Sequence, residues 1–164
     1  MIFPATPQDI ATIIAIAEKS WATTYREILP AEQYDYMMNL FYTVRALQQT
    51  MKEQTFLLCR HDDRVTGFIA YQLDYPEAGS CKIHKLYVLP ETQGSGTGRK
   101  LISAVENIAA GHPCSRLTLN VNKYNKALGF YQKMGFHVSR PEVIDIGRGF
   151  VMDDFVMERE IQSR

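Results

Sequence analysis

A net charge of either sign is absent: lysine plus arginine and aspartate plus glutamate stand at 18 each in 164 residues. A chain so balanced has no global field to draw in nucleic acid or anionic lipid, so any polyanion it binds must be met by a local site. Cysteine is scarce and odd in number. Cys59, Cys81 and Cys114 show no CxxC and no Cys/His ligand spacing, which argues against a disulfide framework and a zinc site and leaves reduced thiols packed as small apolar groups. The stretch from Met1 to Ala5 carries no basic residues ahead of a long apolar run, and no segment approaches the ~20 apolar residues that span a bilayer. A cytoplasmic protein without a membrane partner is the expectation. Internal repeats, linkers and low-complexity segments are missing too, so a chain that is 46% apolar is expected to fold as one domain over residues 1–164.

What is present reads as alternating helix and strand. Thr6 stands as an N-cap ahead of Pro7, with Asp9 placed to reach back to it, and Ile10, Ile13, Ile14, Ala17 and Trp21 then recur at helical spacing. A second helical region spans about Ala31 to Lys52, with a break near Phe41 to Thr43. Thr55 to Cys59 and Val65 to Leu73 form a hairpin about the turn from His61 to Arg64. Cys81 to Leu89 is a third strand, ended by Pro90. A glycine-rich turn follows and opens a helix with Leu101, Ile102, Val105, Ile108 and Ala109 on one face. Arg116 to Val121 is a strand and Asn125 to Met134 a helix stopped by Gly135. Val143 to Ile146 and Phe150 to Glu158 close the chain as a hairpin. This order implies a mixed α/β sheet with helices on both faces.

The turn Gln93, Gly94, Ser95, Gly96, Thr97, Gly98, Arg99 is the most informative segment. Between a strand and an amphipathic helix, unpaired backbone N–H groups and the positive end of the helix dipole converge on one point, which suits an anion such as phosphate. Ser95, Thr97 and Arg99 add side-chain donors. Two common phosphate motifs fail here. The nucleotide P-loop requires Lys then Ser/Thr, and Arg99 and Lys100 are followed by Leu101. The dinucleotide fingerprint requires an acid about twenty residues on, where this chain has Asn120 to Asn122.

The string from Ile83 to Ile102, IHKLYVLPETQGSGTGRKLI, instead resembles the coenzyme-A-binding segment of the GNAT acetyltransferases, with its Q/R-x-x-G-x-G/A element at Gln93 to Gly98. LNVNKYNKALGFYQKMGF, from Leu119 to Phe136, resembles the family's next signature in the right order and at the right separation. The resemblance extends from about Ile2 to Ile161. Trp21 to Tyr25, Ile28 to Pro30 and Phe150 to Ile161 look like the bacterial branch that includes polyamine acetyltransferases of the PaiA type.

That resemblance implies a mixed, mostly antiparallel sheet of about seven strands with splayed central strands and about four flanking helices. It implies transfer of an acetyl group from acetyl-CoA to the amine of a small molecule, a polyamine among them, or of a peptide; the alternative is a catalytically silent acyl-CoA sensor. Leu86, Tyr87 and Val88 would pair their backbone with the pantetheine arm, with Val88 N–H polarising the thioester carbonyl. Residues 93–99 would hold the pyrophosphate, and Lys133 would add a further contact. Asn125 reads both as a cofactor contact and as a helix cap. Strand alternation sets Lys82, His84, Leu86 and Val88 on one face. His84 falls where many relatives carry a glutamate base, and an ordinary pKa of about 6.5 would suit it to that task; a structural histidine is the other reading. Tyr131 falls on the family's general acid, or is simply an aromatic core residue. Trp21, Tyr25, Tyr34 and the pair Asp153 and Asp154 are candidates to line an amine pocket, where aromatic and carboxylate walls would suit a cationic acceptor. His61, His112 and His137 are expected in solvent, no metal is implied, and a homodimer is the expected assembly.

Overall fold

The computed structural model describes residues 1–162. Its first helix starts as the spacing predicts. Thr6 N donates to Asp9 Oδ2 (2.8 Å) and Gln8 N donates to Thr6 Oγ1 (3.3 Å), so a capping box closes around Pro7. After one 3-10 turn, α1 (Ile10–Tyr25) buries Ile10, Ile13, Ala17 and Trp21. The next helical stretch breaks into α2 (Ala31–Phe41) and α3 (Val44–Thr50), where Thr43 Oγ1 accepts from Ala46 N (3.1 Å) and restarts the helix. Helices α4 (Thr97–Gly111) and α5 (Ala127–Lys133) make five among the described residues, one more than expected.

The strands are β1 (Ile2–Pro4), β2 (Thr55–His61), β3 (Arg64–Leu73), β4 (Ser80–Val88), β5 (Arg116–Asn122), β6 (His137–Gly147) and β7 (Phe150–Glu160). They form one sheet in the order β1-β2-β3-β4-β5-β7-β6, antiparallel except between β4 and β5. Successive residues of a strand face opposite sides, so Phe68 joins Ile13, Leu47 and Leu58 under α1–α3, while Ile69 joins Leu101, Ile102 and Leu117 under α4 and α5. Each fully buried aliphatic side chain contributes roughly 1.5–3 kcal/mol. Two elements depart from expectation. β1 was not foreseen, and β6 starts six residues earlier than the Val143 to Ile146 segment.

Two irregularities in β4 shape the molecule. Its pairing with β5 runs only from Ser80↔Arg116 to Ile83↔Leu119, after which β5 continues against β7 alone and the two strands part. Its pairing with β3 steps from Tyr71↔Ile83 to Ala70↔Lys85, so His84 is the extra residue of a β-bulge. The bulge corrects the expected alternation. Lys82 and His84 face the α1–α2 side, but beyond the bulge Lys85 and Tyr87 take that side and Leu86 turns to the α4 core.

Candidate functional site

The parting of β4 from β5 opens a cleft of about 850 Å³. One wall is β4 from Ile83 to Val88. The backbone there has a fixed orientation: Leu89 N donates to Thr66 O (2.8 Å), and the antiparallel register Gly67↔Val88 continues from it. Alternate residues of such a strand bond to opposite sides. Tyr87 therefore spends its backbone groups on β3, whereas Leu86 and Val88 turn theirs toward the opening. Of the three residues expected to offer backbone groups, two do so.

The far end of the cleft is the glycine turn. Gly94 and Gly96 hold φ of +88° and +87°, a left-handed conformation that excludes nearly every side chain at low cost. Gly98 is needed for another reason: a Cβ there would sit 3.2 Å from Phe130 Cζ, where α4 and α5 approach. The bond from Lys100 N to Gly96 O (3.0 Å) starts the α4 ladder and leaves the amides ahead of it free at the cleft. Gln93, Gly94, Gly96, Thr97, Gly98 and Arg99 all line the cleft. Ser95 does not; its hydroxyl donates to Thr92 O (2.5 Å) and lies 3.0 Å from Thr97 Oγ1, bracing the turn from behind. Lys133 is exposed on the last turn of α5 and also lies outside the lining.

Opposite β4 stand Asn125 and Tyr131. Asn125 Oδ1 accepts from Ala127 N (2.8 Å), capping α5, while its Nδ2 donates to Tyr25 Oη (3.2 Å). Tyr131 is 8% exposed, packed between Phe130 and Phe136. Its hydroxyl makes no hydrogen bond among the described residues. Burial, reinforced by Tyr25, pushes its pKa up, so it carries its proton at every ordinary pH.

A second cavity of about 350 Å³ adjoins the first and shares Tyr25, His84, Lys85, Tyr87 and Asn120 with it. Trp21 lines it, in contact with Tyr25 (4.5 Å) and Tyr42 (5.5 Å). Tyr34 lines neither cavity. It lies behind Trp21, with the Arg26 guanidinium over its ring (4.7 Å). Of the acidic pair, Asp153 turns away to Lys123 (2.8 Å), and only Asp154 enters the cavity. Asp154 is 4% exposed, and burial raises its pKa to about 6 against the opposing effect of Asn120, whose Nδ2 donates to it (3.4 Å).

His84 Nε2 donates to Gln72 Oε1 (3.0 Å). Burial, then Lys82 and Lys85, brings its pKa down to about 3, far from the 6.5 that suggested a base. Lys85, unremarked by the sequence reading, is enclosed where the cavities meet, with its Nζ 5.6 Å from the Phe41 ring and 5.8 Å from Tyr42; burial lowers its pKa to about 8. Its exposure to both cavities could not be read from alternation because the bulge shifts it. His112, expected in solvent, pairs with Asp74 (2.7 Å), and with Cys114 these two bring ligand atoms within 4.8 Å of one another, a grouping that lines neither cavity. No helix among the described residues is long and apolar enough to cross a membrane.

Comparison with known proteins converges on one family. Residues 23–153 match the acetyltransferase (GNAT) domain. A spermidine N(1)-acetyltransferase of Thermoplasma acidophilum is 26% identical over 163 residues, 95% of this chain and 94% of its own. The peptidyl-lysine N-acetyltransferase YjaB of Salmonella typhimurium is 42% identical over 90 residues, 54% of each chain. The crystal structure of the PaiA N-acetyltransferase of Thermoplasma acidophilum in complex with coenzyme A superposes with a TM-score of 0.82, covering 98% of each chain at 25% identity.

Proposed function

The chain belongs to the GNAT acetyltransferase family and is an N-acetyltransferase with acetyl-CoA as donor, and from that premise we propose that it acetylates the amine of a small molecule or peptide by direct attack, with Tyr131 as general acid and Asp154 as base. The observation that carries this reading is the parting of β4 from β5, which sets free backbone on one wall, the glycine turn at one end and an unpartnered phenol on the other wall of one cleft.

The residues fit the donor. The left-handed Gly94 and Gly96 and the free amides at the start of α4 make a cradle for the pyrophosphate, with Arg99 adding charge. Leu86 and Val88 offer strand-like pairing to the pantetheine arm, and Val88 N–H is the donor for the carbonyl oxygen. When bound, acetyl-CoA supplies an activated acyl group. Asn125 serves mainly to cap α5 and to hold Tyr25 in place.

An acceptor ammonium near pKa 10 must be deprotonated before it attacks. Asp154, with its pKa at about 6, is ionised at neutral pH and takes that proton far better than His84 at about 3. As the C–N bond forms and the C–S bond breaks, Tyr131 gives its proton to the departing thiolate, and the phenolate so formed takes the surplus proton from the new amide nitrogen, which restores the acid. His84 acts as a neutral structural group bound to Gln72. Following thiol release with a panel of amines tests this: Tyr131→Phe is expected to lower kcat by at least ~10²-fold with acetyl-CoA binding intact. A Tyr131→Phe enzyme as fast as wild type would remove the acid from the mechanism.

A further inference from the structure

We infer that the second cavity selects an acceptor that carries a carboxylate beside its amine, a free amino acid with an apolar side chain rather than a polyamine. The inference rests on the acetyl-transfer reading above and names the substrate that site would take. The carrying observation is an enclosed cation at the junction of the two cavities, Lys85, that has no ion-pair partner among the described residues, with the carboxylate of Asp154 on the wall of the same second cavity.

Three ionised side chains line this cavity: Lys82, Lys85 and Asp154. Lys82 is already attracted by Glu142 and Asp154. Lys85 is not compensated. Its ammonium rests over Phe41 and Tyr42, and among the described residues no carboxylate lies within ion-pair reach of it. An enclosed cation without an anion is what a bound carboxylate completes. On the other side, Asp154 accepts one long hydrogen bond from Asn120 Nδ2 (3.4 Å) and feels Lys82 only at longer range, without a direct ion pair. Gln54 Oε1, also in the lining, is buried without a hydrogen-bond partner. These two oxygens are acceptors awaiting donors, which an ammonium provides.

Charge therefore decides between acceptor classes. A polyamine brings a second cation to a wall that already holds Lys82 and Lys85 against the single carboxylate of Asp154. A zwitterion brings a carboxylate to Lys85 and an ammonium to Asp154 and Gln54. Lys85, shared by both cavities, then fixes the amine at the mouth of the donor cleft. Leu29, Met37, Phe41 and Met152 give the lining an apolar patch for the side chain, beside the polar Gln33, Thr50 and Asn122, and about 350 Å³ accommodates one leucine- or phenylalanine-sized molecule.

Matched pairs that differ only in the carboxylate test this: leucine against isoamylamine and phenylalanine against phenethylamine, with the remaining amino acids, γ-aminobutyrate, spermidine and a lysine peptide alongside, all with acetyl-CoA and thiol detection. The amino acid is expected to exceed its decarboxylated partner in kcat/KM by at least ~10-fold, and Lys85→Met to compress that ratio by a similar factor while Lys85→Arg preserves most of it. Acetyl-CoA affinity of each variant, measured by calorimetry, shows that it is folded. Equal rates within the pairs, preference for spermidine or the peptide, no turnover of any amino acid, or a ratio that survives Lys85→Met would each overturn the inference. Failure of the transfer mechanism has a different signature, namely turnover that is indifferent to Tyr131→Phe.

Discussion

Asp154→Asn is expected to make the protein more stable and less active at once. The carboxyl is 4% exposed, and its pKa rises from an ordinary 3.8 to about 6 because burial outweighs the help of Asn120 and Lys82, with Glu142 and Asp153 adding repulsion. At 1.36 kcal/mol for each tenfold change in proton affinity, holding the charged form in the fold costs up to about 3 kcal/mol. The folded state binds the proton more tightly than the unfolded chain, so this group's contribution is fully favourable below pH 3.8, declines as pH rises toward 6, and stays at its least favourable above that. Asparagine keeps an oxygen for Asn120 and never ionises. At pH 8 the variant should gain about 1–3 kcal/mol, a Tm rise of roughly 3–10 °C for a chain of this length, and at pH 4 the two proteins should melt together. Thermal unfolding followed by circular dichroism across pH 4 to 8 measures the difference, and subtracting wild type from variant removes the titration of other groups. Acetyl transfer should meanwhile drop at least ~10²-fold through loss of the base. A variant no more stable than wild type at pH 8, or a gain that does not depend on pH, would refute the reasoning.

Three further outcomes follow from the same geometry. Gly96→Ala places a Cβ at φ +87° with no atom within 4 Å, so its effect is purely one of backbone conformation; about 1–2 kcal/mol of strain should appear as a roughly 5–30-fold weaker acetyl-CoA affinity by calorimetry. Leu101→Ala empties a fully buried site under β3 and β4, and denaturant unfolding should show a loss of about 2–5 kcal/mol. His84 titrates in the fold at about 3 rather than 6.5, so its neutral form is favoured and stability falls as pH drops below 6.5; at pH 5 this amounts to about 2 kcal/mol, and His84→Gln should remove it from the pH profile of unfolding.

Much of this architecture was legible because local chemistry and tertiary structure agree. Thr6, Pro7 and Asp9 spell a capping box that closes, and Thr43 marks the point where one helical pattern becomes two. The glycine turn was readable because φ near +90° is available almost only to glycine, so Gly94 and Gly96 announce their backbone in the residue type. β1 escaped because three residues ending in Pro4 carry no periodicity; the strand exists only because Ile2, Phe3 and Pro4 find Cys59, Leu58 and Leu57. The early part of β6 escaped because its side chains are exposed and mostly polar, with Pro141 among them, a pattern tolerated at a sheet edge but not recognisable as a strand. Tyr34 has the residue type of a pocket wall, and only packing decides that it stands behind Trp21.

The bulge at His84 explains why the site residues were harder to read than the site itself. Side-chain direction in a strand has period two, so a single inserted residue reverses every assignment beyond it. Without it, Lys85 and Tyr87 would point under α4 and Leu86 would point into the acceptor cavity, leaving that cavity without its uncompensated cation. With it, Lys82, His84 and Lys85 all serve the α1–α2 side, while Leu86 and Val88 still turn backbone toward β5. Two features thus meet at the same point of the chain: the pairing with β5 stops at Ile83, one residue before the bulge, and the bulge delivers Lys85 to the junction of the two cavities. His84, chosen from the sequence for its ionisation, contributes through its position as the unpaired residue, and its depressed pKa follows first from burial and then from the two lysines that the bulge gathers beside it.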